Sequence, residues 1–87
     1  MSQIIEIVVG NKNYQIEWDL SEHFGELKGK KFMLDNVAAE QIEMINDLSS
    51  TAKILLSAVA GATIQHLIDN NCQIGNIFKN GYFIIKS

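Results

Sequence analysis

The sequence predicts a single α+β domain over residues 1–87, in which two helices cover one face of a small antiparallel sheet. In residues 14–20 apolar side chains alternate with polar ones, as in a strand with one face in the core and the other in water. The pair Asn80 and Gly81 lies between two apolar segments, a pattern typical of a hairpin turn. The apolar segment 52–68 is rich in Ala and Leu and longer than a strand, so it predicts a helix.

The first predicted element is an N-terminal hairpin over residues 3–20, whose strands are joined by polar residues and a glycine. A two-residue turn at 11–12 would place Val9 opposite Tyr14 and put the apolar residues of both strands on one face. A short third strand is expected over 30–34.

Two helices are expected, over about 36–48 and about 50–70, separated by the cap-forming residues Ser49, Ser50 and Thr51. The second helix is apolar nearly all round, which is typical of a helix buried on several sides or in a membrane. We favour a buried helix of a soluble protein over a membrane span, which needs roughly 20 predominantly apolar residues, because this segment carries several polar ones.

The remaining residues predict a C-terminal hairpin over 74–86, with both faces apolar. If one face of the sheet meets the helices, strand alternation forces five apolar side chains to the other face, where no segment remains to cover them. They are Ile4, Val8, Ile77, Tyr82 and Ile84. Small residues near Gly61 would let another backbone approach the central helix closely. We therefore expect these six residues to form an interface.

No residue pattern indicates catalysis, a cofactor or a metal ion. His66 lies on the apolar side of the central helix, where a lone histidine is usually a core residue, and no motif orients Cys72 as a nucleophile. With His23 these residues lack the short spacing of metal ligands. The lysines of 28–31 lack the glycine-rich spacing of a nucleotide loop, and the carboxylates of 17–26 are typical of a solvated edge.

Composition restricts the partners and the compartment. The net charge is -3 and the chain contains no arginine, so binding to nucleic acid or to a membrane is disfavoured. The single cysteine, Cys72, is typical of a reducing compartment, and the first residues lack the basic start of a signal peptide. We therefore expect a cytoplasmic protein, and its abundant Ile, Asn and Lys are compatible with a phage or mobile-element origin.

The sequence has more apolar side chains than one layer of helices can cover, and it has no catalytic residue pattern. Together these observations predict a small non-enzymatic protein-binding module. It would form a homodimer, or act as an inhibitor or adaptor of a larger protein. One alternative is a winged-helix-like nucleic-acid-binding regulator, because helix, break, helix and terminal hairpin occur in that order, although 63–71 contains no lysine or arginine. The other alternative is a carrier of a small apolar ligand, bound between sheet and helices.

Overall fold

The computed structural model describes residues 2–20 and 22–86, and within them the chain forms one four-stranded antiparallel sheet and four helices. The strands are β1 (Gln3–Val9), β2 (Lys12–Trp18), β3 (Lys31–Met33) and β4 (Gly81–Lys86), in the order β2-β1-β4-β3. The helices are α1 (Phe24–Leu27), α2 (Ala39–Glu43), α3 (Ser50–Asp69) and α4 (Ile74–Asn80), with a 3-10 turn at Leu34–Asn36. The predicted α+β class is confirmed.

The N-terminal hairpin forms, with a register that differs from the predicted one by two residues. Gly10 adopts a φ of 61°, which a glycine at the first position of a tight hairpin turn adopts without strain. The turn therefore lies at Gly10 and Asn11, and Val9 pairs with Lys12 instead of Tyr14. Because side chains alternate with a period of two, a shift of two residues leaves every side chain on its predicted face.

One face of the sheet, the inner face, forms the core together with the helices. Ile5, Ile7, Phe83 and Ile85 on this face are each 0% exposed, whereas the residues that alternate with them are partly exposed or exposed. The domain measures 32 × 29 × 18 Å. A thickness of 18 Å accommodates one sheet and one layer of helices, since such layers are about 10 Å apart.

The central helix predicted over 50–70 is confirmed as α3. Ser49 caps its start by accepting a hydrogen bond from the Ala52 amide at 3.2 Å. At its end Asn71 has a φ of 65°, and the Cys72 amide donates to the Leu67 carbonyl at 3.0 Å. These contacts form a Schellman motif, in which asparagine takes the left-handed position.

α3 is buried on one side only, which corrects the expectation of burial on several sides. Its core side is formed by Ala52, Leu56, Val59, Ala60, Thr63 and Leu67. On the other side Ile54 is 70% exposed and Ile68 is 40% exposed. α3 is long and apolar enough to cross a membrane by length and composition alone, but core helices of soluble domains share these properties.

The helix predicted over 36–48 was largely wrong, because only Ala39–Glu43 is α-helical. Within this segment Met44 is 77% exposed, whereas Ile42 is 1% exposed. Lys53 of α3 donates to the Glu43 carbonyl at 2.8 Å, at the end of α2. The apolar residues of this segment therefore reach the core through short elements rather than along one helix.

The hairpin predicted over 74–86 was wrong in its first half, since Ile74–Asn80 forms α4. Residues 81–86 do form a strand, β4, but it lies between β1 and β3 and is paired on both edges. A strand formed by 74–79 would have had no free edge of β4 beside it. The helix instead buries Ile77 completely in the core.

Candidate functional site

The face of the sheet opposite the helices, called the outer face below, carries apolar and charged residues. Strand pairing assigns to it Ile4, Glu6, Val8, Asn13, Gln15, Glu17, Lys31, Met33, Tyr82, Ile84 and Lys86. Its apolar residues are partly exposed, whereas the inner-face residues of β1 and β4 are buried. No described helix covers this face, which agrees with the two-layer thickness of the domain.

Four of the predicted interface residues meet on the two central strands of this face. Val8 of β1 lies directly opposite Tyr82 of β4, and Ile84 lies opposite Glu6. Ile4 follows at the next position of the same face. Met33, opposite Tyr82 on β3, extends this apolar surface and was missed because the register of the short strand cannot be predicted from its sequence.

Charges on the outer face are separated by sign. The charged residues on β2 and β1 are acidic, Glu17 and Glu6, and those on β4 and β3 are basic, Lys86 and Lys31. Near the centre Lys86 Nζ lies 3.0 Å from Glu6 Oε2. Lys31 Nζ lies 4.0 Å from the centre of the Tyr82 ring, in a cation–π contact. The face therefore has an acidic half and a basic half with apolar residues between them.

Two of the six predicted interface residues lie elsewhere. Ile77 is 0% exposed within α4, so its assignment to the uncovered face was wrong. Gly61 is exposed on α3, and a methyl group added there would meet no heavy atom within 4 Å. The close approach predicted at Gly61 is therefore not made within the chain, and a contact with another molecule there stays a prediction.

The exposed side of α3 forms a second candidate surface, the exposed stripe of α3. It consists of Ile54, Ser57, Ala58, Gly61, Gln65 and Ile68, which recur every three or four residues. These side chains are small or apolar except for Gln65, and none is charged. The stripe has no grouping of polar side chains that would define the chemistry of a ligand.

A cleft of about 460 Å³ lies beside the first half of this stripe, where the chain leaves β2. Leu20, Thr51, Ile54, Leu55 and Ala58 line it, together with Asp19, Glu22 and His23. The Nδ1 atom of His23 lies 3.9 Å from Glu26 Oε1, too far for a hydrogen bond. The cleft is open to solvent and lies outside the core, whereas the predicted ligand pocket was between sheet and helices. Buried core side chains occupy that position.

His66 and Cys72 both contact Tyr14, which projects from the inner face of β2. The Tyr14 hydroxyl lies 3.2 Å from Cys72 Sγ, and the rings of Tyr14 and His66 meet edge to face at 6.0 Å. The hydrogen bond to Cys72, together with burial, raises the pKa of Tyr14. The contacts connect the end of α3 to an edge strand, which is a packing role.

The lysines of 28–31 are directed to separate partners instead of one anion. Lys28 lies over the Phe24 ring at 5.3 Å, and Lys30 forms an ion pair with Asp47 at 2.6 Å. A hydrogen bond from Lys30 and its charge lower the pKa of Asp47. The acidic residues of 17–26 are also dispersed, since Glu17 lies on the outer face, Asp19 and Glu22 lie at the cleft, and Glu26 binds Ser49.

Among residues 2–20 and 22–86, no three His, Cys, Asp or Glu side chains are grouped closely enough to hold a metal ion. Comparisons with family models, curated proteins and solved structures find no significant match to this chain.

Proposed function

We propose that this protein is a small non-enzymatic protein-binding module that acts through self-association, or as an inhibitor or adaptor of a larger protein. Its binding surface is the outer face of the sheet. The observation that carries the proposal is the uncovered apolar surface formed by Ile4, Val8, Met33, Tyr82 and Ile84 on adjacent strands. Contiguous exposed apolar surface on a soluble domain is typical of interaction sites.

Tyr82 is the central anchor of this surface in the proposal. It lies between Val8 and Met33, and Lys31 packs on its ring. Tyrosine combines a large apolar ring with a hydroxyl that stays hydrated at the rim of an interface, and it is enriched among the residues that dominate binding energy.

A cytoplasmic location accords with this proposal. Cys72 is a free thiol in hydrogen-bond contact with Tyr14. Free thiols of this kind persist in reducing compartments.

The two alternative functions have less structural support. A winged-helix protein contacts nucleic acid through a helix and a terminal hairpin, but 74–80 forms a helix here. The outer positions of 63–71 carry no cation to bind phosphate. A carrier of apolar ligands requires a pocket, and the cleft beside α3 is open, with the carboxylates Asp19 and Glu22 among its lining residues.

The proposal is tested with the double variant Val8→Lys and Ile84→Lys. Both side chains are partly exposed on the outer face and not part of the core, so the variant should retain its helix content and cooperative unfolding. Two lysines in the centre of an apolar interface would have to be desolvated on binding, and binding should be lost. Circular dichroism, light-scattering mass and affinity capture from the source cell measure these results.

The matched control is Ile54→Lys with Ile68→Lys, which places the same substitution on the exposed stripe of α3. It should leave both self-association and capture unchanged, because these residues lie on the opposite side of the domain. Loss of binding in the control, with retention in the sheet variant, would assign the binding surface to α3 and overturn the proposal. Unfolding of the sheet variant would assign the outer face to the core and also overturn it.

A further inference from the structure

We propose that the occupant of the outer face is a second copy of this chain, related by a twofold axis that runs parallel to the strands between β1 and β4. This inference rests on the proposed function and names its partner. The two copies would form a sandwich of two sheets, with the helical layers outside.

The separation of charge on the outer face indicates a second copy. Its acidic side chains, Glu17 and Glu6, lie on β2 and β1, and its basic side chains, Lys86 and Lys31, lie on β4 and β3. A face with an acidic half and a basic half is complementary to itself when one copy is turned over. Complementary charge favours the encounter of two surfaces and selects their orientation.

Only one of the two simple twofold arrangements uses this complementarity. An axis perpendicular to the strands would place β2 over β2 and β3 over β3, so that the two acidic halves face each other and the two basic halves do the same. An axis parallel to the strands places β2 over β3 of the second copy, and β1 over β4. A twofold interface brings the same patch of both molecules together, so each opposite-charge contact occurs twice.

Glu17 and Lys31 at the two edges are the charges that select the partner. The Glu17 carboxylate forms no side-chain hydrogen bond or ion pair with another described residue, and the Lys31 ammonium forms none either but lies over the Tyr82 ring. The central charges, Glu6 and Lys86, already form an ion pair within the chain. In the dimer, the positions of Glu17 and Lys31 would be offset along the strands by two residues, which is about 7 Å. A lysine side chain can reach across this offset between two packed sheets.

The outer face is small for a stable interface. Four strands about 4.8 Å apart, with up to seven residues of about 3.4 Å each, give a footprint of about 450 Å² per copy. Stable interfaces bury about 800 Å² per partner. The dimer should therefore be weak and reversible, so that the measured mass depends on protein concentration.

The decisive experiment exchanges the edge charges and measures mass by light scattering or sedimentation equilibrium over a dilution series. In Glu17→Lys, lysine meets lysine across both edge contacts of the dimer, and in Lys31→Glu, carboxylate meets carboxylate. Each variant alone should dissociate about tenfold more readily than the wild type, the change expected when two exposed pairs become repulsive. An equal mixture of the two variants should restore the dimer, because both contacts in the mixed pair are attractive.

Glu40→Lys and Lys79→Glu are the matched controls, since they make the same changes of charge at exposed positions on helices. Their dimers should dissociate as the wild type does, both alone and mixed. The charge effect should also weaken at about 1 M salt, where the Debye length is about 3 Å.

Three results would overturn the inference: a wild type that stays at 9.7 kDa at the highest concentration, a mixture that remains monomeric, or masses that grow beyond the dimer. The last result would indicate head-to-tail pairing of the free edges of β2 and β3. If the wild type is monomeric but the Val8→Lys and Ile84→Lys variant loses another captured protein, the second copy is excluded and the proposed function stands.

Discussion

Glu26 connects two elements that are distant in sequence and fixes the start of the main helix. Its carboxylate accepts hydrogen bonds from the Ser49 amide at 3.0 Å and from the Ser49 hydroxyl at 3.1 Å. The Ser49 oxygen in turn accepts from the Ala52 amide in the first turn of α3. The hydrogen bond from the Ser49 amide is the main cause that holds the pKa of Glu26 below 4.5.

Glu26→Gln should lower stability at neutral pH, and the difference from the wild type should disappear in acid. A carboxyl group whose pKa is depressed by folding stabilises the protein above its unfolded pKa, and this contribution is lost as the pH falls through the folded value. The midpoint of urea unfolding, measured at neutral pH and at steps below 4.5, tests this. Glu40→Gln is the control, because Glu40 is exposed on α2 and its side chain forms no hydrogen bond or ion pair with another described residue. A Glu26→Gln difference that does not change with pH would contradict the assigned role.

At the level of elements, the junction of α4 and β4 depends on the absence of a side chain at Gly81. A Cβ atom at this position would collide with the carbonyl oxygen of Ile77 and would lie 2.8 Å from Leu34 Cδ1. The φ of Gly81 is -97°, so backbone conformation does not require glycine here. The requirement is space, because the last turn of α4 lies against the first residue of the strand.

Gly81→Ala should therefore destabilise the protein by about 1 to 3 kcal/mol, the usual cost of overpacking a core. The control is Gly75→Ala in the same helix, where an added methyl group meets nothing within 4 Å. Gly75→Ala should be neutral or stabilising by up to about 1 kcal/mol, because alanine favours helices more than glycine does. Equal urea midpoints for the two variants would show that the junction is not close-packed.

The elements that sequence predicted correctly are those whose pattern is local. The alternation of Tyr14, Ile16 and Trp18 specified the inner face of β2, and the long apolar segment specified α3. The pair Asn80 and Gly81 predicted a hairpin turn, which would pair the preceding residues with β4. Both edges of β4 are occupied by β1 and β3, and the preceding residues form α4. The order of the strands is decided by contacts between distant parts of the chain, so the residues near 80 do not predict it. Because 74–80 forms a helix, Ile77 lies in the core. The other sheet residues of the predicted interface lie on the outer face, as predicted: Ile4, Val8, Tyr82 and Ile84.

At the scale of the whole molecule, the two-layer domain leaves two uncovered surfaces on opposite sides. The outer face of the sheet combines apolar residues with separated charges, and the exposed stripe of α3 is uncharged and rich in small residues. The charges favour the outer face as the binding surface, because they define an orientation for the partner.

Gly61→Ala distinguishes the two surfaces without adding a charge or removing a contact. An added methyl group at Gly61 meets nothing within 4 Å, so the variant should gain about 0.5 to 1 kcal/mol of stability from helix propensity. If the outer face is the binding surface, the dissociation constant of the dimer should not change. If a partner instead packs closely on α3, the methyl group would enter that contact and weaken it. Urea unfolding measures the change in stability, and light scattering on the same samples measures the change in the dissociation constant. A variant that is more stable but no longer dimeric would show that the binding surface is on α3 and not on the sheet.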